Sequence, residues 1–115
     1  MHNNIKSGAK KVLIGVGSIE TPYITIAEAT AGLCFRDPAE SILYYYNALD
    51  AASDVIVVLS HNGYTDGGYG YGFTVYGDQT LASRLNAAGK PVNLIIGGHS
   101  HTNLAAATMV GNTAV

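Results

Sequence analysis

Two apolar runs, each ending in glycine and histidine, constrain this chain more than any other feature. The first is Asp54-Val55-Ile56-Val57-Val58-Leu59-Ser60-His61-Asn62-Gly63. The second is Val92-Asn93-Leu94-Ile95-Ile96-Gly97-Gly98-His99-Ser100-His101-Thr102. Short runs rich in Val and Ile read as buried strands, and the unbroken run from Asp54 to Leu59 as one covered on both faces. The paired glycines let the backbone leave the second strand through conformations closed to other residues. In an extended segment, residues i and i+2 project to the same side. His99 and His101 are therefore expected to reach into one small volume, with Ser100 pointing away. Imidazole is the commonest metal-binding side chain near neutral pH. Three of the four histidines, His61, His99 and His101, thus stand at strand ends as candidate metal ligands. His2 lies in a polar terminal segment and has no such context.

The remaining pattern alternates strands with helices. Lys11 to Val16 reads as a strand after a Ser7-Gly8 turn, and Ser18 to Leu33 as irregular. Asp37-Pro38-Ala39-Glu40 has the composition of a helix start: a capping Asp, a proline in the first turn and a Glu completing a capping box. That helix is expected to reach about Leu49, with Ile42, Leu43, Tyr46 and Leu49 on its apolar face. Gly63 to Gly77 is a glycine- and tyrosine-rich loop. Asp78 is then expected to cap a second helix through about Ala88, with Leu81, Ala82 and Leu85 inward, Gly89 ending it and Pro91 preventing resumption. Val92 to Ile96 is the next strand, followed by a hairpin at Met109 to Thr113 around Gly111-Asn112. Strands alternating with helices define an α/β fold with function at the carboxyl ends of strands.

Composition excludes several classes. With 115 residues the chain is one domain or a piece of one, and 48% hydrophobic content argues against disorder. A net charge of -2 with 12% charged residues provides no electrostatic attraction for nucleic acid or an anionic membrane. So low a charge with 14 glycines fits a chain whose surface is partly covered by something else. The single cysteine, Cys34, permits no internal disulfide or cysteine zinc cluster and is expected to be a small buried apolar residue. No apolar run is long enough for a membrane span, and residues 1–6 lack a signal-peptide core.

Ser60-His61-Asn62-Gly63 followed by Gly97-Gly98-His99-Ser100-His101-Thr102 resembles the calcineurin-like metallophosphoesterases, closest to their 5′-nucleotidase branch. Val12 to Val16, Glu20-Thr21-Pro22, Phe35-Arg36-Asp37-Pro38 and Asp78 with Leu81-Ala82 extend the resemblance along nearly the whole chain. It implies a β sandwich flanked by helices with a two-metal site at the strand ends. His61 and His99 would bind one divalent ion and His101 the other, with Zn, Mn and Fe all suited to the donor set. The substrate implied is a nucleotide or other phosphate ester, cleaved by metal-activated water, and the location implied is extracytoplasmic.

The departure is equally specific. No Asp-x-His, Gly-Asp-x-x-Asp or Gly-Asn-His-Glu precedes Lys11. The chain thus reads as the carboxyl-terminal half of such a catalytic domain, residues 1–115, truncated at both ends. Its partner would be the missing amino-terminal half, and no catalytic residue is assigned within it. The alternative is a non-catalytic metal-binding or folding fragment, since each metal would find only one or two ligands here and stable zinc sites use three or four. Ser60 and Ser100 are rejected as nucleophiles because no Gly-x-Ser-x-Gly elbow surrounds either. Tyr44, Tyr45 and Tyr46 read as helix face and surface. Tyr69, Tyr71, Phe73 and Tyr76 could stack on a base, but loop packing is the favoured use.

Overall fold

The computed structural model describes residues 11–16 (as backbone), 27–68 and 74–115. The Ser7-Gly8 turn, His2 and the aromatic residues Tyr69, Tyr71 and Phe73 lie outside the described residues. The element order is β1 (Lys11–Val16), α1 (Ala27–Thr30), α2 (Pro38–Ala52), β2 (Val55–Ser60), β3 (Gly67–Gly68), β4 (Thr74–Val75), α3 (Asp78–Ala87), β5 (Leu94–Ile96), β6 (Met109–Val110) and β7 (Thr113–Ala114). Five strands form one sheet in the order β1-β2-β5-β7-β6, and β3 pairs with β4 separately. The fold is mixed α/β. β1, β2 and β5 run parallel, with Val16 opposite Ser60 and Leu59 opposite Ile96. The carboxyl ends of all three strands therefore lie on one sheet edge.

Local chemistry accounts for the helices. The Asp37 carboxylate accepts the Glu40 N–H at 2.9 Å, and Pro38 occupies the first helical position, where no backbone donor is needed. The helix runs three residues past the expected end, to Ala52. Helix α3 ends in a Schellman motif: Gly89 at φ 69° donates to Asn86 O, and Lys90 donates to Leu85 O, both at 2.9 Å. The hairpin forms where Gly111-Asn112 predicts it and is pinned to α3 by Asn86. That amide accepts from Asn112 N–H at 2.9 Å and donates to Val110 O at 3.1 Å and Thr113 Oγ1 at 3.0 Å.

The core lies on one face of the sheet. Ile56, Val58 and Ile95 point into it, with Ala39 and Ile42 from α2 and Leu81, Ala82 and Leu85 from α3. Burial of each large aliphatic side chain contributes roughly 1.5–3 kcal/mol. The expectation that β2 is covered on both faces does not hold among the described residues: the intervening Leu59 is 44% exposed and its neighbour Ile96 51%. Both α2 and α3 contribute to the same face, and an unbroken apolar run cannot reveal which face gets a cover. Four further expectations are corrected. Cys34 is exposed, in a segment without regular structure after α1. The stretch read as irregular contains the short helix α1, and the glycine-rich loop contains the β3–β4 pair. The strand expected from Val92 starts at Leu94, because Asn93 turns its side chain to accept Ile56 N–H at 2.9 Å.

Candidate functional site

His61 follows the last residue of β2, and Gly97-Gly98-His99 follows the last residue of β5, its parallel neighbour. Their rings meet edge to face, with centroids 5.1 Å apart and planes at 70°. Gly98 makes the approach possible: a Cβ there would stand 3.2 Å from His61 Nδ1.

The backbone at the second motif is not extended. His99 has φ 76° and His101 φ 54°. Ser100 N–H donates to Gly98 O at 3.0 Å, closing a three-residue turn centred on His99. The alternation argument for His99 and His101 therefore fails, because it presupposes strand geometry beyond Ile96. A left-handed conformation costs a residue with a Cβ about 1–2 kcal/mol. Fasteners around the turn hold it there. Ser100 Oγ accepts Tyr64 N–H at 3.0 Å, joining this turn to the loop after β2, and shares a 2.8 Å hydrogen bond with Thr102 Oγ1.

His99 and His101 both line an open cavity of about 440 Å3, with Asp78 and Tyr64 also in its wall. His101 shares this cavity with His99, while His99 meets the His61 ring.

Asp78 is the site residue that the sequence misplaced. It does not cap α3; the cap position is Gly77, and Asp78 is the first helical residue. Its carboxylate turns inward, 1% exposed, where Oδ1 accepts the Ser60 hydroxyl at 2.5 Å. Burial pushes its carboxyl above the usual carboxylate range, while the Ser60 hydroxyl and the nearby His61 pull it back. An Asp beside Gly at a helix start fits either position, and its partner lies eighteen residues earlier. Only tertiary structure distinguishes the two. Asn62 was also overlooked. It is 4% exposed, and among the described residues neither amide atom has a hydrogen-bond partner.

Two imidazoles at one edge are donors suited to a divalent transition metal. Among the described residues no group of three His, Cys, Asp or Glu side chains could hold an ion. The donors present thus fit part of a metal site rather than a complete one. No helix of the described residues is long and apolar enough to cross a membrane.

The class of architecture is mirrored by a solved structure described as a "Putative 5′-Nucleotidase" from Staphylococcus aureus in complex with alpha-ketoglutarate. It superposes with a TM-score of 0.67 at 24% identity, over 90% of this chain and 20% of that one. In sequence, the chain is 33% identical over 97 residues to a 5′-nucleotidase of Vibrio cholerae serotype O1, covering 83% of this chain. It spans 17% of that relative's length. No protein-family model matches the chain.

Proposed function

We propose that this chain forms part of a bimetallic phosphoesterase of the calcineurin-like, 5′-nucleotidase type. Its substrate is a nucleotide phosphate ester, and His61, His99 and His101 are metal ligands. The observation carrying this reading is the meeting of His61 and His99, from two separate strands, at one sheet edge. Similarity to a nucleotidase supports the substrate class. Bound divalent ions (Zn, Mn or Fe) supply a hydroxide nucleophile at neutral pH and neutralise phosphate charge. The chain's own contribution is to present imidazoles on a turn whose shape is set by Gly97, Gly98 and Ser100. The extracytoplasmic location belongs to the same proposal. A second reading is a metal-binding or folding fragment without catalysis, which needs only the ring pair of His61 and His99.

Phosphate release from AMP with Mn2+ or Zn2+ tests both. The chain alone is expected to show background release, since among its described residues no group of three His, Cys, Asp or Glu side chains could hold an ion. In the longest natural polypeptide that contains it, His61→Ala and His99→Ala are each expected to lower release at least ~100-fold with loss of bound metal. Full activity in either variant overturns the ligand assignment. Background release by the unaltered long polypeptide selects the second reading.

A further inference from the structure

We infer that Asp78 and Ser60 form a positioning lock that sets the His61–His99 ring pair through the ends of the two strands that carry it. Its chemical consequence rests on the proposed role of those histidines; its geometry does not.

The lock touches the backbone on both sides of His61 and at the start of the corner that leads to His99. Before His61, the Ser60 hydroxyl donates to Asp78 Oδ1 at 2.5 Å and also accepts Asn62 N–H at 3.3 Å. After His61, the Asp78 N–H donates to Gly63 O at 2.7 Å, and the next amide, Gln79 N–H, donates to Tyr64 O at 3.3 Å. On the other strand, Asp78 Oδ2 lies so close to Gly97 that a Cβ at that position would overlap it. The first turn of α3 is thus bound to the β2 end and pressed against the β5 end. The Gly98 backbone packs in turn against the His61 ring. A shift of the Asp78 carboxylate moves both strand ends relative to each other, and the two rings with them.

A purely structural role does not require this residue. Burying a carboxylate costs several kcal/mol of solvation before compensation, and an apolar residue of similar size would fill the space without that cost. The Asp78 carboxylate has a feature an apolar side chain lacks: a directional acceptor for the Ser60 hydroxyl, fixed at the start of a helix.

The test reads the ring pair directly. In the full chain, a nuclear Overhauser cross-peak between the His61 and His99 ring protons reports their meeting without any metal. Ser60→Ala and Asp78→Ala are expected to lose it while retaining a cooperative melt. Asp78→Asn is expected to keep it, because its amide oxygen still accepts the Ser60 hydroxyl. Gly97→Ala, whose methyl displaces the carboxylate, is expected to behave as Asp78→Ala does and to add nothing to it in the double variant. Co2+ affinity is expected to fall about 10-fold or more in Ser60→Ala and to be restored in no variant that lacks the cross-peak. If Asp78→Ala fails to fold, Ser60→Ala decides, since it removes one buried atom. A cross-peak undiminished in Ser60→Ala, or absent from the unaltered chain, overturns the lock. An intact ring pair that binds no Co2+ counts against the metal reading and leaves the lock standing. Co2+ binding equal in the unaltered chain and Ser60→Ala, with the cross-peak intact, does the reverse.

Discussion

His99 carries the sharpest conflict between local preference and placement. Its φ of 76° is one that a side chain with a Cβ disfavours, yet the residue is held there by the Ser100 N–H to Gly98 O turn and by Ser100 Oγ on Tyr64 N–H. Strain of this kind persists where the surroundings over-determine it, and it is frequent at functional sites. A direct consequence separates backbone from ring. His99→Gly is expected to be more stable than His99→Ala by about 1–2 kcal/mol, because both lose the imidazole and only Ala retains a Cβ. Urea denaturation of the two variants measures the difference, and equal midpoints would show that the turn relaxes when the ring is gone. The same fasteners explain why Ser100 is more than a spacer between two histidines.

Between elements, a polar joint is built around Tyr76, which is 5% exposed. Its hydroxyl accepts Ala39 N–H at 3.0 Å and donates to the Asp37 carboxylate at 2.9 Å, at the start of α2. Arg84 of α3 lies 4.2 Å over its ring centroid and pairs with Asp37 at 3.3 Å. The ion pair is largely exposed and contributes about 1 kcal/mol at most; the tyrosine carries the joint. Burial, with the Asp37 charge adding to it, raises the Tyr76 phenol well above its ordinary range. A folded value above the unfolded one, about 10, means that the contribution is complete below that pH and is lost as pH rises through the folded value. At pH 7, Tyr76→Phe is expected to cost about 1–3 kcal/mol by orphaning the Ala39 N–H. Denaturant melts at pH 7, 9 and 10.5 should show the gap between the two proteins narrowing at the highest pH. A gap that widens there would contradict the assignment of a buried neutral phenol.

For the molecule as a whole, the described residues cover the sheet on one side. Leu59 and Ile96, opposite one another in the β2–β5 register, are about half exposed, and so is Met109 on β6. Contiguous exposed apolar surface of this sort binds hydrophobic dyes and promotes association. The chain by itself is expected to enhance 1-anilinonaphthalene-8-sulfonate fluorescence in its folded state. Replacing Leu59 and Ile96 together with Thr is expected to remove most of that enhancement without lowering the melting temperature, since neither side chain belongs to the buried core. Dye binding that tracks unfolding instead would show the face to be protected in solution.

The sequence alone determined those features whose causes lie within a few residues of their effects. Helix α2 was legible because Asp37 and Pro38 act on the turn they begin, and α3 because Leu81, Ala82 and Leu85 share one face and Gly89 supplies the left-handed residue its end requires. The Gly111-Asn112 hairpin and the cores of β2 and β5 followed from equally local chemistry. Tertiary structure decided the rest. Asp78 became an internal acceptor because Ser60 and Gly97 are brought to it from two other strand ends. The second histidine motif left strand geometry because Gly97 and Gly98 permit a turn that only Ser100 and Tyr64, from separate segments, make stable. Among the described residues one sheet face stays open because both long helices contribute to the other. Each of these depends on contacts between residues far apart in sequence, and residue type records a propensity for such contacts without naming the partner.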